Sequence, residues 1–131
     1  MRIKLFIGFK KAIILIVLFL ISCNKGVKLN LYNTTGVDID SFSIGNIYLG
    51  KLKSRDKNKS LNMDSCQFDG QYLLVKAKGY INGKSIRTDD SSSFCGTMLS
   101  IETSGTHHID IVINKINERI FLSLEKKKFY E

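Results

Sequence analysis

Val27-Lys28-Leu29-Asn30-Leu31 and Ile109-Asp110-Ile111-Val112-Ile113 are the two stretches that decide the fold. Apolar and polar residues alternate in the first, and isoleucine takes every other position in the second. Successive side chains of a strand leave opposite faces, so a period of two marks a half-buried β-strand. The same reading extends outward to residues 37–44, 46–52, 72–77, 85–88 and 119–124, and more weakly to 60–63. Turn residues fall between these runs at Asn33 to Gly36, Gly45-Asn46, Asp69-Gly70, Asn82-Gly83, Ser104-Gly105 and Asn114 to Asn117. Asn82-Gly83 supplies the pair that a type I′ hairpin turn wants at positive φ.

No segment of the body carries a helical stripe, and residues 89–96 read as a polar loop. The expectation is an all-β chain: an antiparallel β-sandwich of about seven or eight short strands after an N-terminal signal helix. In outline it would be immunoglobulin-like or transthyretin-like. The 131 residues contain no Pro and no Trp, and their ordinary apolar fraction argues against a disordered body.

The formal charge of +8 overstates how basic the folded part is. Four of the twenty cations are Arg2, Lys4, Lys10 and Lys11, so the chain from residue 23 carries sixteen cations against twelve acids, a net of +4. These charges are dispersed, without the basic stripe and interleaved aromatics of a nucleic-acid reader, and no nucleic-acid partner is expected. Lys51 to Lys59 is a charge-rich turn, and residues 126–131 form a basic, aromatic tail.

Cations crowd the first eleven residues, and ten apolar residues follow from Ala12 to Ile21. This is the n-region and h-region pattern of a secretory signal. Ten helical residues span about half of a ~30 Å hydrocarbon core, too little for a stable transmembrane helix. Extending the span backward would bury Lys10 and Lys11.

Leu20-Ile21-Ser22-Cys23 closes the run, and it resembles the lipobox of bacterial lipoproteins. That resemblance implies cleavage after Ser22, a diacylglyceryl thioether and an N-acyl chain on Cys23, and no other cofactor. It divides the chain into a signal peptide (1–22), a lipidated Cys and short tether (23–26), a β-sandwich (27–125) and the tail (126–131). It also implies a membrane partner through the anchor. Asn24 stands where some Gram-negative lipoproteins carry an inner-membrane retention Asp, so the outer membrane is the expected location in a source that has one.

Lipidation of Cys23 leaves Cys66 and Cys95 as an even pair in an exported chain. A disulfide there would close about thirty residues and stabilise the fold by roughly 3–4 kcal/mol. The alternative is two separate buried thiols, and the Cys-x-x-Cys spacing of a redox pair is absent. His107 and His108 are the only histidines. On a strand His108 and Asp110 share one face, while His107 points with the isoleucines. His108 and Asp110 are weak metal candidates, since a structural zinc site wants four ligands. The carboxylate pairs Asp38/Asp40 and Asp89/Asp90 read as solvated acids. Tyr32, Tyr48, Tyr72 and Tyr80 are the candidate binding surface, because aromatic rings offer large contact area at low entropic cost.

The expected function is a non-enzymatic lipoprotein of the cell envelope, binding an envelope protein or glycan. Its rival is a small envelope hydrolase, metal-binding protein or inhibitor with its site near His107, His108 and Asp110.

Overall fold

The computed structural model describes residues 26–55, 59–89 and 99–127. Among them are eleven strands: β1 (Gly26–Asn33), β2 (Ile39–Ile44), β3 (Ile47–Leu52), β4 (Lys59–Met63), β5 (Cys66–Asp69), β6 (Tyr72–Leu73), β7 (Ala77–Ile81), β8 (Lys84–Arg87), β9 (Leu99–Glu102), β10 (Ser104–Ile116) and β11 (Arg119–Lys126). They form a β-sandwich, with one sheet ordered β4-β1-β10-β11-β6-β5-β9 and the other β3-β2-β7-β8. The expected signal helix and Cys23 lie outside the described residues. No described helix is long and apolar enough to cross a membrane.

The two stretches that announce the fold lie side by side at its centre. β1 pairs with β10 in parallel, Leu29 opposite His107 and Leu31 opposite Ile109, so the large sheet is mixed and not wholly antiparallel. Their alternation places Val27, Leu29, Leu31, Ile109 and Ile111 in the core, each at most 2 % exposed. Leu122 and Leu124 of β11 join them, and β2 supplies Ile39, Phe42 and Ile44 from the facing sheet. At ~25 cal/mol per Å2 of apolar surface buried, this shared interior is the main stabilising term.

Gly79 lets β7 approach β2 closely, since a Cβ there would meet Ile39 Cγ2 at 2.5 Å and the Asp40 carbonyl at 3.2 Å. Asn82 and Gly83 take φ of 51° and 76°, as their turn requires, and Tyr80 pairs with Ser85 across it. The β10–β11 turn likewise uses positive φ at Asn117 and Glu118.

Several local expectations differ from the structure, and residues 114–116, expected as part of a turn, extend β10 in register with β11. Residues 72–77 are not one strand: Tyr72–Leu73 belongs to the large sheet, and Ala77 opens β7 in the small one. The crossing residues find backbone partners outside a ladder, with Leu74 N donating to Gln67 O at 2.8 Å and Gly45 N to Lys76 O at 2.7 Å. Ser104-Gly105 is not a turn but the start of the thirteen-residue β10, with Gly105 at φ 102° opposite Val27. β5 and β9 were not anticipated although Cys66-Gln67-Phe68-Asp69 and Leu99-Ser100-Ile101-Glu102 alternate, whereas the equally short β8 is marked by the Asn82-Gly83 turn before it.

Candidate functional site

The outer face of the large sheet carries an unbroken row across four strands. Tyr72 pairs with Glu125, Glu125 with Asp110, and Asp110 with Tyr32, so two carboxylates lie between two tyrosines. The parity follows from the core: Leu31, Ile111, Leu124 and Leu73 are buried, which turns their neighbours outward.

At the Tyr72 end of the row a groove of about 730 Å3 opens where residues 74–76 leave β11 for the small sheet. Its walls include Tyr72, Leu74 and Phe121, and its polar lining includes Asn114, Ser123 and Glu125. Those three polar residues form a chain: Asn114 Nδ2 donates to Ser123 Oγ at 2.7 Å, and Ser123 Oγ donates to Glu125 Oε1 at 2.7 Å. Each side chain is thereby fixed before any ligand arrives, and the Asn114 carbonyl oxygen and Glu125 Oε2 remain as acceptors. The volume falls within the ~300–1,000 Å3 of ligand pockets.

The histidines have other commitments. As its position predicts, His107 turns to the core side, its ring centroid 5.1 Å from that of Phe68. His108 shares the outer face with Asp110, and its Nδ1 is hydrogen-bonded to Tyr32 Oη at 2.8 Å. Lys127 Nζ covers the Tyr32 ring at 4.0 Å from its centroid. No group of three His, Cys, Asp or Glu residues is placed to hold a metal ion among the described residues. Asp38 and Asp40 are bridged by Lys51, at 3.2 Å and 3.4 Å. Asp90 lies outside the described residues.

Tyr32 and Tyr72 thus share the large sheet, whereas Tyr48 and Tyr80 stand exposed on the small one. Only Tyr72 of the four lines the groove. Cys66 is a buried free thiol, its pKa raised by burial first and by Glu102 second. Its expected partner Cys95 lies outside the described residues. Phe121, Asn114 and Ser123 were not anticipated as site residues. Asn114 lies on β10 and Phe121 and Ser123 on β11, and their only sequence signal is an outward position on a strand, which any solvated strand shows.

Asp110 is the strained member of the row. Its Oδ1 is buried without a hydrogen-bond partner, and burial pushes its carboxyl above the usual carboxylate range, opposed by Lys127 and reinforced by Glu125. The folded chain therefore holds this proton to higher pH than the unfolded chain, so stability falls as pH rises from about the unfolded value of 3.8 through the folded one. Asp110→Asn is expected to raise the melting temperature by a few degrees near neutral pH. Near the unfolded carboxyl pKa the gain should vanish. Melting curves at both pH values check the sign.

No protein family model, curated protein or solved structure matches this chain. The functional reading accordingly rests on the residues and their arrangement.

Proposed function

We propose that the chain is a lipid-anchored protein of the bacterial envelope that acts as a binding module, not an enzyme, and takes a neutral glycan segment in its groove. The observation that carries this is the fixed Asn114–Ser123–Glu125 chain beside Tyr72 and Phe121. Sugar rings offer an apolar C–H face and a rim of hydroxyls. Aromatic rings match the first, and a carboxylate and an amide oxygen accept from the second. Lys76 and Lys115 in the lining are balanced by Asp89 and Glu125, so the groove has no net charge to recruit a polyanion. The commitment of both histidines to aromatic rings favours binding over catalysis at His107 and His108.

The anchor at Cys23 suits this geometry. Gly26 stands three residues from Cys23 and pairs with Ser104 at the start of β10. The groove uses Asn114 to Ile116 at the other end of that strand. At ~3.3 Å per residue the separation is roughly 30–40 Å, enough to hold the groove away from the bilayer with β10 standing along the membrane normal. Two or three acyl chains would make the attachment effectively permanent. Asn24 favours the outer membrane where there is one.

An array of neutral and uronate-containing oligosaccharides, probed with the full chain in detergent, tests the reading. Retention of a neutral oligosaccharide is expected, and Tyr72→Ala or Phe121→Ala should weaken it about tenfold or more, the ~1.4–2 kcal/mol of a buried aromatic contact. Retention of uronates alone, of nothing, or of glycans indifferent to both substitutions would overturn it. Photocrosslinking from Phe121 to an envelope protein with an empty array would transfer the groove to a protein partner.

A further inference from the structure

The polar groups of the groove stand in a fixed order, and one residue dictates that order. Glu125, as a carboxylate, only accepts hydrogen bonds. Ser123 must therefore donate to it, and does so from Oγ to Oε1 at 2.7 Å. With its single proton committed, the hydroxyl only accepts on its other side, so the Asn114 amide turns its nitrogen toward it, Nδ2 to Oγ at 2.7 Å. The Asn114 carbonyl oxygen is left as an acceptor in the groove, together with one remaining N–H.

Strand register sets this polar line against an apolar surface. Asn114 pairs with Phe121 across β10 and β11, and Phe121, Ser123 and Glu125 alternate along β11, so all four share one face. Leu74 and Val75 add further apolar lining.

A ligand has to meet that order as it stands. A sugar hydroxyl satisfies an acceptor such as Glu125 Oε2, but it brings no apolar group to Phe121. An acetamido substituent brings an N–H that donates and never accepts, a carbonyl for the remaining Asn114 N–H, and a methyl for the apolar lining.

We propose that the groove selects glycans carrying N-acetylated amino sugars, and that Glu125 sets this selectivity by fixing the orientation of the Asn114 amide through Ser123. The inference rests on the glycan reading of the groove and names its sugar class. In this role Glu125 is a positioning residue for Asn114. A glucose unit has a hydroxyl where the acetamido group stands, and leaves both the apolar lining and the Asn114 N–H unmet.

Calorimetric titration of the full chain in detergent compares two trisaccharides of identical linkage, one built of N-acetylglucosamine and one of glucose. At least about tenfold tighter binding of the first is expected, the usual discrimination for a small apolar group that fits its site. Glu125→Gln keeps the size of the side chain but gives it a donor for Ser123, so the hydrogen-bond order can reverse and turn the Asn114 nitrogen to the ligand. The preference should then fall toward equality. Arg119→Gln, outside the lining, should leave it unchanged, and circular dichroism melts verify that both variants fold. Equal binding of the two sugars by the unaltered chain would leave the groove reading standing and overturn the selectivity, whereas binding of neither would overturn both. A preference that survives Glu125→Gln undiminished, or one lost equally in Arg119→Gln, would overturn the role of Glu125.

Discussion

Phe42→Ala is expected to lower the unfolding free energy by about 3–5 kcal/mol, the usual range for a fully buried phenylalanine. Phe42 is 0 % exposed and sits in β2, an inner strand of the small sheet, where it faces the β1–β10–β11 core. Its surroundings cannot collapse cheaply. The position of Gly79 packs the β7 backbone against it, with the site of the missing Cβ only 3.5 Å from Phe42 Cδ2. A cavity would remain, and Phe42→Leu should cost markedly less. Urea denaturation of both variants checks the order.

Asn33→Ala is expected to cost about 2–4 kcal/mol although it removes no apolar surface. Asn33 ends β1 at 8 % exposure, and its Nδ2 donates to Val37 O at 2.8 Å and to Leu52 O at 2.9 Å. Its Oδ1 accepts from Thr35 N at 3.1 Å and Thr35 Oγ1 at 2.6 Å. One amide thus ties the large sheet to β3 of the small one and shapes the 34–37 turn. Alanine would take the buried donor from Leu52 O, leave Val37 O with Thr35 Oγ1 alone at 3.0 Å, and remove the acceptor of Thr35 N, at about 1–3 kcal/mol for each group left dry. Asn33→Asp should fail to rescue, because it restores the acceptor but not the donors. Thermal melts would show the difference as a drop of roughly 10–20 °C for Ala.

These two residues also mark what a sequence can disclose here. Phe42 lies in a run whose strand character is legible, and β1, β2, β3, β8 and the central part of β10 follow from alternation and turn residues in the same way. Asn33 reads only as a turn former, since its tie to Leu52 joins residues nineteen apart and across two sheets. The parallel pairing of β1 with β10 is equally non-local, and nothing in either segment states its direction. Residues 72–77 mislead because Tyr72 to Val75 stay apolar across the change of sheets, so no polar break marks it.

The candidate sites divide along the same line. His108 and Asp110 share a face, as a period of two requires, but that His108 is engaged by Tyr32 depends on which strand lies alongside. Tyr72 could be singled out as one of four tyrosines. Its partners Glu125, Ser123 and Asn114 could not, since the groove exists only where β6 parts from β11.

The proposed membrane attachment depends on what is attached to Cys23. Intact-mass analysis of the mature protein extracted from membranes tests this most directly. The expected species begins at Cys23 and carries a diacylglyceryl group and an N-acyl chain. A mature form with an unmodified Cys23, or with a different first residue, would contradict the anchor and the orientation built on it.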